Sequence, residues 1–430
     1  MKKLIALIAV LVIIAPPATA ANPTLTVMSR NLYLGADVGV ALELIPDMPA
    51  AAQFMWDQVK ATDFSKRSAL FVKEINRENP DVIGLQEATI WYCKAHFWSG
   101  KTEVFNFTKE LLDALDGRYV IAEHAGTQAF NPGYSIGPIP FLTTVNDPDT
   151  FQPLFGSDKA ACGFQIGDAL LVKTDRAADV LAVGNTEFEA IYKVVPTIME
   201  IRRGYTWADI RIGSTVTRFV TTHLESLFGE NEIPTAALQA TQLINDLSKT
   251  KAPVIVMGDF NSDPRDPRGV DAPNPGGQPT ANEKCKVGAT ECNAYKLMRD
   301  AGFIDAGPDA SDPTAFTWGM NALLSAPDSN RVEEARKMGN SLGFTDRLDY
   351  IFFKNGVEVI TSRVIGTQPP YASDHAGVVS ELEITSANPG LDAALDAHKP
   401  FPIGFWQWVG VGLSTLAILL IARKVRRKRQ

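Results

Sequence analysis

Residues 253–261 read Pro-Val-Ile-Val-Met-Gly-Asp-Phe-Asn, an apolar run that stops at two polar side chains. The β-branched and apolar residues of 253–257 predict a buried strand, and Gly258 marks its end. Asp259 and Asn261 therefore lie where a strand leaves the core. A carboxylate in such a place loses hydration energy unless it is paired or binds a metal ion. The stretch predicts a functional polar site at the end of a buried strand.

The same arrangement recurs along the chain. In each case a polar residue stands at the end of an apolar, strand-like run or directly beside one. These residues are Asn31, Glu87, His223, Asp349, Asp374 and His375. A single residue of this kind would be an ordinary helix cap or turn, whereas the whole set favours one shared cleft.

Strand–helix–strand patterns occur in both halves of the chain, with the apolar residues of each helix on one face. The elements are predicted at 25–31, 65–79, 81–87, 218–223, 235–248, 253–257, 347–353 and 378–382. Two such halves predict a four-layered α/β sandwich, in which two mixed β-sheets pack together and are flanked by helices. We assign this catalytic domain to residues 22–390, with long loops at 130–164, 262–283 and 314–343.

Carboxylate and amide oxygens dominate the polar set, and these ligands suit Mg²⁺ and also Mn²⁺ or Ca²⁺. Hydrolysis of a phosphate ester needs a metal ion, a base for water and a donor for the charge of the transition state. By contrast, the sequence contains no P-loop, dinucleotide-binding fingerprint or Gly-x-Ser-x-Gly elbow. Nucleotide-dependent, redox and serine-hydrolase functions therefore have no support.

Taken in order, the motifs resemble those of the endonuclease/exonuclease/phosphatase superfamily. This superfamily includes deoxyribonuclease-I-like nucleases, abasic-site endonucleases, neutral sphingomyelinases and inositol-polyphosphate phosphatases. The matching motifs are Asn31, Leu-Gln-Glu87, Thr-His223-Leu-Glu, Gly-Asp259-Phe-Asn261, Arg-Leu-Asp349-Tyr and Ser-Asp374-His375. The resemblance implies a metal-dependent phosphoesterase.

It also implies a role for each residue on the metal and water side. Glu87 would bind the divalent metal ion, with Asn31 as a ligand or an orienting amide, and Asp374 would support either the same ion or a second one. Asp259 would be the base that activates water. Asn261 would hold that water or the phosphate.

On the leaving-group side, Asp349 would orient His375, which would stabilise the phosphate or protonate the leaving group. His223 would donate to a phosphate oxygen or serve the leaving group, so the identity of the acid stays open between the two histidines. Asp168 stands where many members of the superfamily have a small polar amide. We expect it in a surface turn rather than at the substrate.

Both ends of the chain carry targeting patterns. Residues 1–21 combine two lysines, an apolar run and small residues at 18–20, which predicts a signal peptide. Residues 401–421 contain no charge and are followed by the basic segment 422–430. This pattern predicts a linker at 391–400, a transmembrane helix at 401–421 and a cytoplasmic tail. A sorting signal that is later removed, or a buried core helix, are the alternatives.

The formal net charge of −8 understates the acidity of the outer domain, because the two ends carry only basic residues. Without them the charge is near −16, and such a surface repels polyanions unless metal ions or a basic groove intervene.

Four cysteines lie in this domain, and an even number in an exported chain favours disulfides over a structural metal site. Of three pairings we favour Cys93 with Cys162 and Cys285 with Cys292. The aromatic segment 91–98 would pack as a loop or contact lipid or bases.

The sequence thus predicts an exported, membrane-anchored phosphoesterase that depends on Mg²⁺, Mn²⁺ or Ca²⁺. The favoured reaction is that of a phosphodiesterase acting on nucleic acid or on phospholipid or sphingomyelin head groups. A phosphomonoesterase and a catalytically silent binding module of the same fold are the alternatives. The expected partners are a phosphodiester substrate and a membrane.

Overall fold

The computed structural model describes residues 21–45, 47–94, 100–135, 144–146, 159–195, 199–226, 233–269, 280–309, 312–340 and 342–386. The predicted linker, transmembrane helix and basic tail lie outside these residues, as does all but the last residue of the predicted signal peptide. In the described part of the chain, no helix combines the length and the apolar character needed to cross a membrane.

Within the described residues there are seven α-helices. They are α1 (Val38–Glu43), α2 (Met48–Thr62), α3 (Phe64–Glu78), α4 (Phe107–Ala114), α5 (Thr235–Leu247), α6 (Ala294–Asp300) and α7 (Ser329–Lys337). Helices α3 and α5 match the predicted helices to within a residue at each end. Helix α7 lies in a segment predicted as a loop, because its only apolar residues, Val332 and Ala335, are too few to define a helical period.

Ten described strands form the first sheet, here called sheet I. Seven of these strands lie side by side in the order β19 (Val357–Ile365), β20 (Gly377–Ile384), β1 (Thr24–Asn31), β2 (Val82–Gln86), β10 (Lys159–Lys173), β3 (Ile90–Lys94) and β4 (Thr102–Asn106). The other three pair with the long strand β10 and are β5 (Tyr119–Ile121), β8 (Phe130–Ser135) and β9 (Thr144–Asn146). Strands β1 and β2 are parallel, whereas β1 and β20 are antiparallel. The predicted loop at 130–164 was wrong where it covers these strands, because long-range pairing with β10 orders a segment rich in turn residues.

The second sheet, sheet II, has six described strands. Their order is β11 (Val180–Glu187), β14 (Gly204–Ile212), β15 (Thr215–His223), β16 (Val254–Asp259), β18 (Asp349–Lys354) and β17 (Ile304–Asp305). Strands β15 and β16 are parallel and the others antiparallel. Two short hairpins pair β6 (Glu123–His124) with β7 (Thr127–Gln128) and β12 (Tyr192–Val195) with β13 (Met199–Ile201).

Side chains along each strand point alternately to the two faces of its sheet, so each sheet packs against the other sheet on one face and against helices on the other. On β16, Ile255 and Met257 pack in the core between the two sheets, whereas Val254 and Val256 pack against α5 and α6. Helices α2, α3 and α4 cover the outer face of sheet I. Full burial of each such apolar side chain contributes roughly 1.5–3 kcal/mol. The predicted α/β architecture of two mixed sheets flanked by helices is confirmed.

The two sheets approach each other closely near the strand ends. A Cβ atom added to Gly84 of β2 would lie 2.8 Å from Cβ of Met257 in the other sheet. Beside this contact, Nε2 of Gln86 donates a hydrogen bond of 2.8 Å to Oγ1 of Thr221. The glycine therefore permits close packing of the sheets at the end that carries the polar residues.

All four cysteines form disulfides, in the favoured pairing of Cys93 with Cys162 and Cys285 with Cys292. The first disulfide joins the neighbouring strands β3 and β10. Trp91 of β3 is buried, and its ring centroid lies 4.6 Å from that of Phe164. Residues 91–94 of the aromatic segment thus pack into the domain, and residues 95–99 lie outside the described residues.

Candidate active site

Strand ends from both sheets bring the polar residues to one place. Strand β1 ends at Asn31, and Glu87 directly follows its parallel neighbour β2. In sheet II the register sets His223 opposite Asp259, and Asp259 opposite Asp349. Strand pairing alone therefore places three ionisable side chains side by side.

The structure brings together all eight residues predicted for the site, and their roles remain predictions. Those lining one cleft are Glu87, His223, Asp259, Asn261, Asp374 and His375. Asn31 and Asp349 hydrogen-bond to members of this group. Glu87 and Asn261 have positive φ angles of 52° and 44°, a strained backbone that costs of order 1–3 kcal/mol each and is typical of functional sites.

The amide of Asn31 connects the two sheets. Its Nδ2 donates to Oε1 of Glu87 at 3.2 Å and to Oδ2 of Asp259 at 3.0 Å. Its Oδ1 accepts a 2.7 Å bond from the backbone N–H of Tyr33. The amide group therefore fixes the orientation of two carboxylates at once.

Asp259 lies at the centre of the group. Its Oδ1 accepts a 2.9 Å bond from the backbone N–H of Asn261. Its Oδ2 is 3.6 Å from Nε2 of His223 and 3.6 Å from Nε2 of His375. Burial raises the pKa of Asp259; the charge of His375 opposes this shift and the carboxylate of Asp349 adds to it. The carboxyl group can thus exchange a proton closer to neutral pH than an ordinary aspartate.

His375 is paired with a carboxylate. Its Nδ1 is 2.8 Å from Oδ2 of Asp349. Burial by itself would lower the pKa of His375, but the carboxylates of Asp349, Asp259 and Asp374 outweigh burial and raise the pKa to about 10. His375 therefore carries a positive charge at neutral pH.

His223 has the opposite surroundings. Its Nδ1 is 3.0 Å from Nη1 of Arg203, and its Nε2 is 3.0 Å from Nδ2 of Asn261. Burial lowers the pKa of His223 well below its ordinary value, and the charges of Arg203 and His375 lower it further. His223 is therefore a neutral imidazole.

Arg203 and its partner Glu225 were not found from the sequence. Arg203 directly precedes β14, and its Nε lies 3.3 Å from Oε2 of Glu225. Both side chains are buried. Glu225 does stand two residues after His223, in the Thr-His-Leu-Glu motif. The signal for Arg203 was the two-residue turn Gly213-Ser214, which pairs β14 with β15 as a hairpin and brings the start of β14 beside the end of β15.

Asp168 was also misjudged. It is only 2% exposed, so the prediction of a surface turn is wrong. A β-bulge between Ile166 and Asp168 and the alternation along β10 place it on the side of Leu170, between the sheets. Burial raises the pKa of Asp168 well above its ordinary value, although the charge of Arg203 opposes the shift. Its position beside an apolar run was the signal that could have identified it.

The donor set fits a divalent metal ion. Asp259, Asp349 and His375 are buried and offer one ligand atom each, all within 4.8 Å of one another, which makes them a candidate metal site. Burial also raises the pKa of Asp374, against the charge of His375 and with the help of the Glu87 carboxylate. Repulsion among these carboxylates would be relieved by a cation, and oxygen-rich sites select ions such as Mg²⁺.

The cleft around these residues has a volume of about 480 Å³. Of the described residues that line it, seven carry carboxylates and two, Arg203 and Arg331, carry guanidinium groups. Each arginine is paired, with Glu225 and with Asp346 respectively. Arg203 offsets Glu225, so the other six lining carboxylates face the single positive charge of His375, and the cleft is acidic.

Comparison with known proteins identifies the class. Residues 56–375 match the Endonuclease/Exonuclease/phosphatase family, so the chain belongs to this family. It is a phosphoesterase of that family with a buried Asp/Asp/His candidate metal site. No curated protein matches the chain.

Several solved structures are similar in fold. A family member from Beutenbergia cavernae is 17% identical in sequence, with a TM-score of 0.48; the aligned region covers 88% of this chain and 79% of the Beutenbergia chain. A mannosyl-6-phosphatase from Bacteroides thetaiotaomicron is 14% identical, with coverages of 83% and 99% and a TM-score of 0.44. Truncated TDP2 from Caenorhabditis elegans is 16% identical, with coverages of 84% and 97% and a TM-score of 0.43.

Proposed function

We propose that this chain is a divalent-metal-dependent phosphodiesterase in which Asp259 is the base. The observation that carries the proposal is the position of Asp259, whose Oδ2 lies 3.6 Å from the Nε2 atoms of two histidines of opposite character. Burial raises the pKa of Asp259, and a base is most effective when its pKa is near the ambient pH.

In the proposed reaction, a water oxygen attacks phosphorus and gives its proton to Asp259, while Asn261 holds the water or the phosphate. The bond from phosphorus to the leaving oxygen breaks. His375 gives that oxygen the proton on its Nε2, because it is positively charged and Asp349 orients it. His223 donates a hydrogen bond to a phosphoryl oxygen.

Glu87 and Asp374 would hold the metal ion, and Asn31 would orient Glu87. When bound, the ion would polarise the phosphoryl oxygen and offset its negative charge. Binding through Asp259, Asp349 and His375 is the other arrangement. It would require His375 to lose the hydrogen on the ring nitrogen that binds the ion, so the ring could not also be the positively charged acid.

The charge of the cleft favours a phospholipid-type substrate over nucleic acid. Nucleic acid brings further phosphates, which proteins usually contact with arginine and lysine. Asp37, Glu43 and Asp328 extend the acidic lining beyond the reacting centre. Val40 and Leu44, on and just after α1, are 40% and 38% exposed. A single phosphodiester with a zwitterionic head group and apolar chains would suit this surface.

A substrate panel tests the proposal on the full-length chain. Vesicles of phosphatidylcholine or sphingomyelin, DNA, RNA, bis(p-nitrophenyl) phosphate and p-nitrophenyl phosphate would be compared in Mg²⁺, Mn²⁺, Ca²⁺ or EDTA. We expect diester hydrolysis that EDTA abolishes and that Asp259→Asn lowers by about 10³-fold or more. Asp113→Asn, an exposed aspartate on the outer helix α4, is the matched control and should be unaffected.

Each other result would correct a different part of the proposal. Faster cleavage of DNA than of lipid would overturn the substrate class but keep the phosphodiesterase. Hydrolysis of p-nitrophenyl phosphate alone would identify a phosphomonoesterase. Metal binding by calorimetry without any hydrolysis would favour the silent binding module.

We also infer that the enzyme is exported and acts at a membrane. The two disulfides support an oxidising compartment, and the patterns at 1–21 and 401–421 support a signal peptide and an anchor. Protease should digest the catalytic domain from outside intact cells, and a stop codon after residue 400 should release it into the medium. Protection of the domain in intact cells would overturn this localisation.

A further inference from the structure

Arg203 contacts the active site from behind His223. Its Nη1 is 3.0 Å from Nδ1 of His223, and its Nε is 3.3 Å from Oε2 of Glu225. Its backbone oxygen accepts a 2.9 Å bond from the N–H of Phe188. The guanidinium is therefore buried and held on two sides at the base of the cleft.

The chemistry of these groups decides the tautomer of His223. A guanidinium group has only donors, so Nδ1 of His223 must accept the hydrogen bond from Arg203. Nδ2 of Asn261 is also a donor, 3.0 Å from Nε2, so the two contacts compete for the single acceptor nitrogen of a neutral ring. The charged guanidinium makes the stronger hydrogen bond, which leaves the one N–H on Nε2. A hydrogen on Nδ1 would point at the guanidinium from 3.0 Å, and a doubly protonated ring would place two positive charges side by side.

The Nε2–H group has no good acceptor among the described residues. The nearest group is Nδ2 of Asn261 at 3.0 Å, but this nitrogen is a donor and already bonds the backbone oxygen of Leu224 at 2.8 Å. The nearest carboxylate oxygen, Oδ2 of Asp259, is 3.6 Å away, beyond ordinary hydrogen-bond distance. The side chain of His223 thus presents an unused donor to the cleft.

We propose that Arg203 is a positioning residue that fixes His223 as the Nε2–H tautomer, so that His223 donates a hydrogen bond to a phosphoryl oxygen and does not protonate the leaving group. This inference rests on the proposed function. It assigns the two histidines to separate tasks, with His375 as the acid and His223 as a neutral donor to the developing charge.

Nitrogen NMR tests the tautomer without any need for activity. The full-length chain has five histidines, so ¹⁵N-histidine labelling gives a small set of signals, and His223→Ala identifies those of His223. In the wild type we expect His223 to have an unprotonated Nδ1 and a protonated Nε2. Arg203→Lys should keep this tautomer, and Arg203→Met should give a mixture of the two tautomers. A protonated Nδ1 in the wild type would overturn the proposal.

Kinetics with bis(p-nitrophenyl) phosphate and Mg²⁺ test the consequence. Arg203→Met should lower kcat by about 10–100-fold with a smaller change in KM, because the lost bond is made mainly in the transition state. Arg203→Lys, which keeps a donor, should recover most of the activity. In a His223→Ala background, Arg203→Met should cause no further loss. An equal loss in both backgrounds would show that Arg203 acts elsewhere.

Arg203→Met removes the guanidinium from beside the buried carboxylate of Glu225, so the double variant Arg203→Met/Glu225→Gln is made beside it. It should unfold at a temperature near that of the wild type while keeping the low kcat of Arg203→Met. Recovery of kcat in the double variant would overturn the proposal in favour of a structural ion pair. Absence of hydrolysis in the wild type would count against the phosphodiesterase alone, because the NMR result still reports on Arg203.

Discussion

The two sides of Asp259 carry the same residue type in opposite surroundings. Nε2 of His223 and Nε2 of His375 each lie 3.6 Å from Oδ2 of Asp259. Nδ1 of His375 is 2.8 Å from a carboxylate oxygen of Asp349, whereas Nδ1 of His223 is 3.0 Å from a guanidinium nitrogen of Arg203. The largest difference is therefore the charge of the group behind each ring.

This comparison teaches that distance from the reacting centre does not decide the role of a histidine here. Burial lowers the pKa of both rings, but the carboxylates around His375 raise its pKa to about 10. The arginine behind His223 acts in the same direction as burial, so that ring stays neutral. One ring can supply a proton and the other can only offer a hydrogen bond.

The largest expected effect comes from replacing each ring by glutamine, which keeps an amide donor but no acid. His375→Gln should lower kcat by about 10³-fold, the range for loss of a general acid. His223→Gln should lower it by roughly tenfold or less, because its amide can still donate to the phosphoryl oxygen. Steady-state hydrolysis of phosphatidylcholine vesicles measures both, because an alkoxide leaving group needs the proton of the acid whereas p-nitrophenolate does not. Equal losses in the two variants would show that His375 and His223 do not have the separate roles of acid and neutral donor.

A second contrast concerns where the metal ion binds. If Glu87 and Asp374 hold it, Glu87→Gln should weaken Mn²⁺ binding by about 100-fold, the upper range for an altered metal site. His375→Gln should then change the affinity only slightly. Titration calorimetry with Mn²⁺ measures both variants. A large loss in His375→Gln would instead place the ion on the Asp259, Asp349 and His375 group and remove the role of His375 as acid.

A third, smaller effect concerns the pH profile. Activity should fall as the pH rises through the pKa of His375, because the positively charged ring is required. Asp349→Asn removes the largest influence that raises this pKa, so the alkaline limb of kcat/KM should move to lower pH by about 1–3 units. His375→Gln should have no such limb. An unchanged limb in Asp349→Asn would show that another group titrates there.

The α/β fold class, and the meeting of the eight candidate residues at one place, could be predicted because each signal is local; the roles of these residues remain predictions. The apolar run at 253–257 followed by Asp259 identifies a strand end wherever the strand lies in the sheet. Arg203 could not be found this way. Its contact with His223 depends on the antiparallel register of β14 and β15, in which Tyr205 opposes Thr222. That register is set by the two-residue turn Gly213-Ser214, which joins the strands and places Ile212 opposite Thr215. Locating Arg203 therefore requires the turn as well as the polar residue at a strand end.

The smallest expected effect comes from the arginine on the other side of the cleft. Arg331 lies over the ring of Trp318, 3.6 Å from its centroid, and the Trp318 ring lies 6.2 Å from that of His375. The guanidinium bonds Thr345 and Asp346 rather than the histidine. Since the hydrogen bonds of the guanidinium go to Thr345 and Asp346, Arg331→Met should change kcat by less than about threefold.

The main cost of Arg331→Met should be in stability. Its removal deletes a buried hydrogen-bonded cation, although Arg268 still contacts Asp346, and we expect a loss of about 1–3 kcal/mol in the free energy of unfolding. Urea unfolding and kcat, measured together, separate the two effects. Arg203→Met is the matched variant, with a large loss in kcat. If Arg331→Met lowered kcat as strongly as Arg203→Met, both buried arginines would act through their positive charge. Direct contact between Arg203 and the ring of His223 would then not explain the role of Arg203.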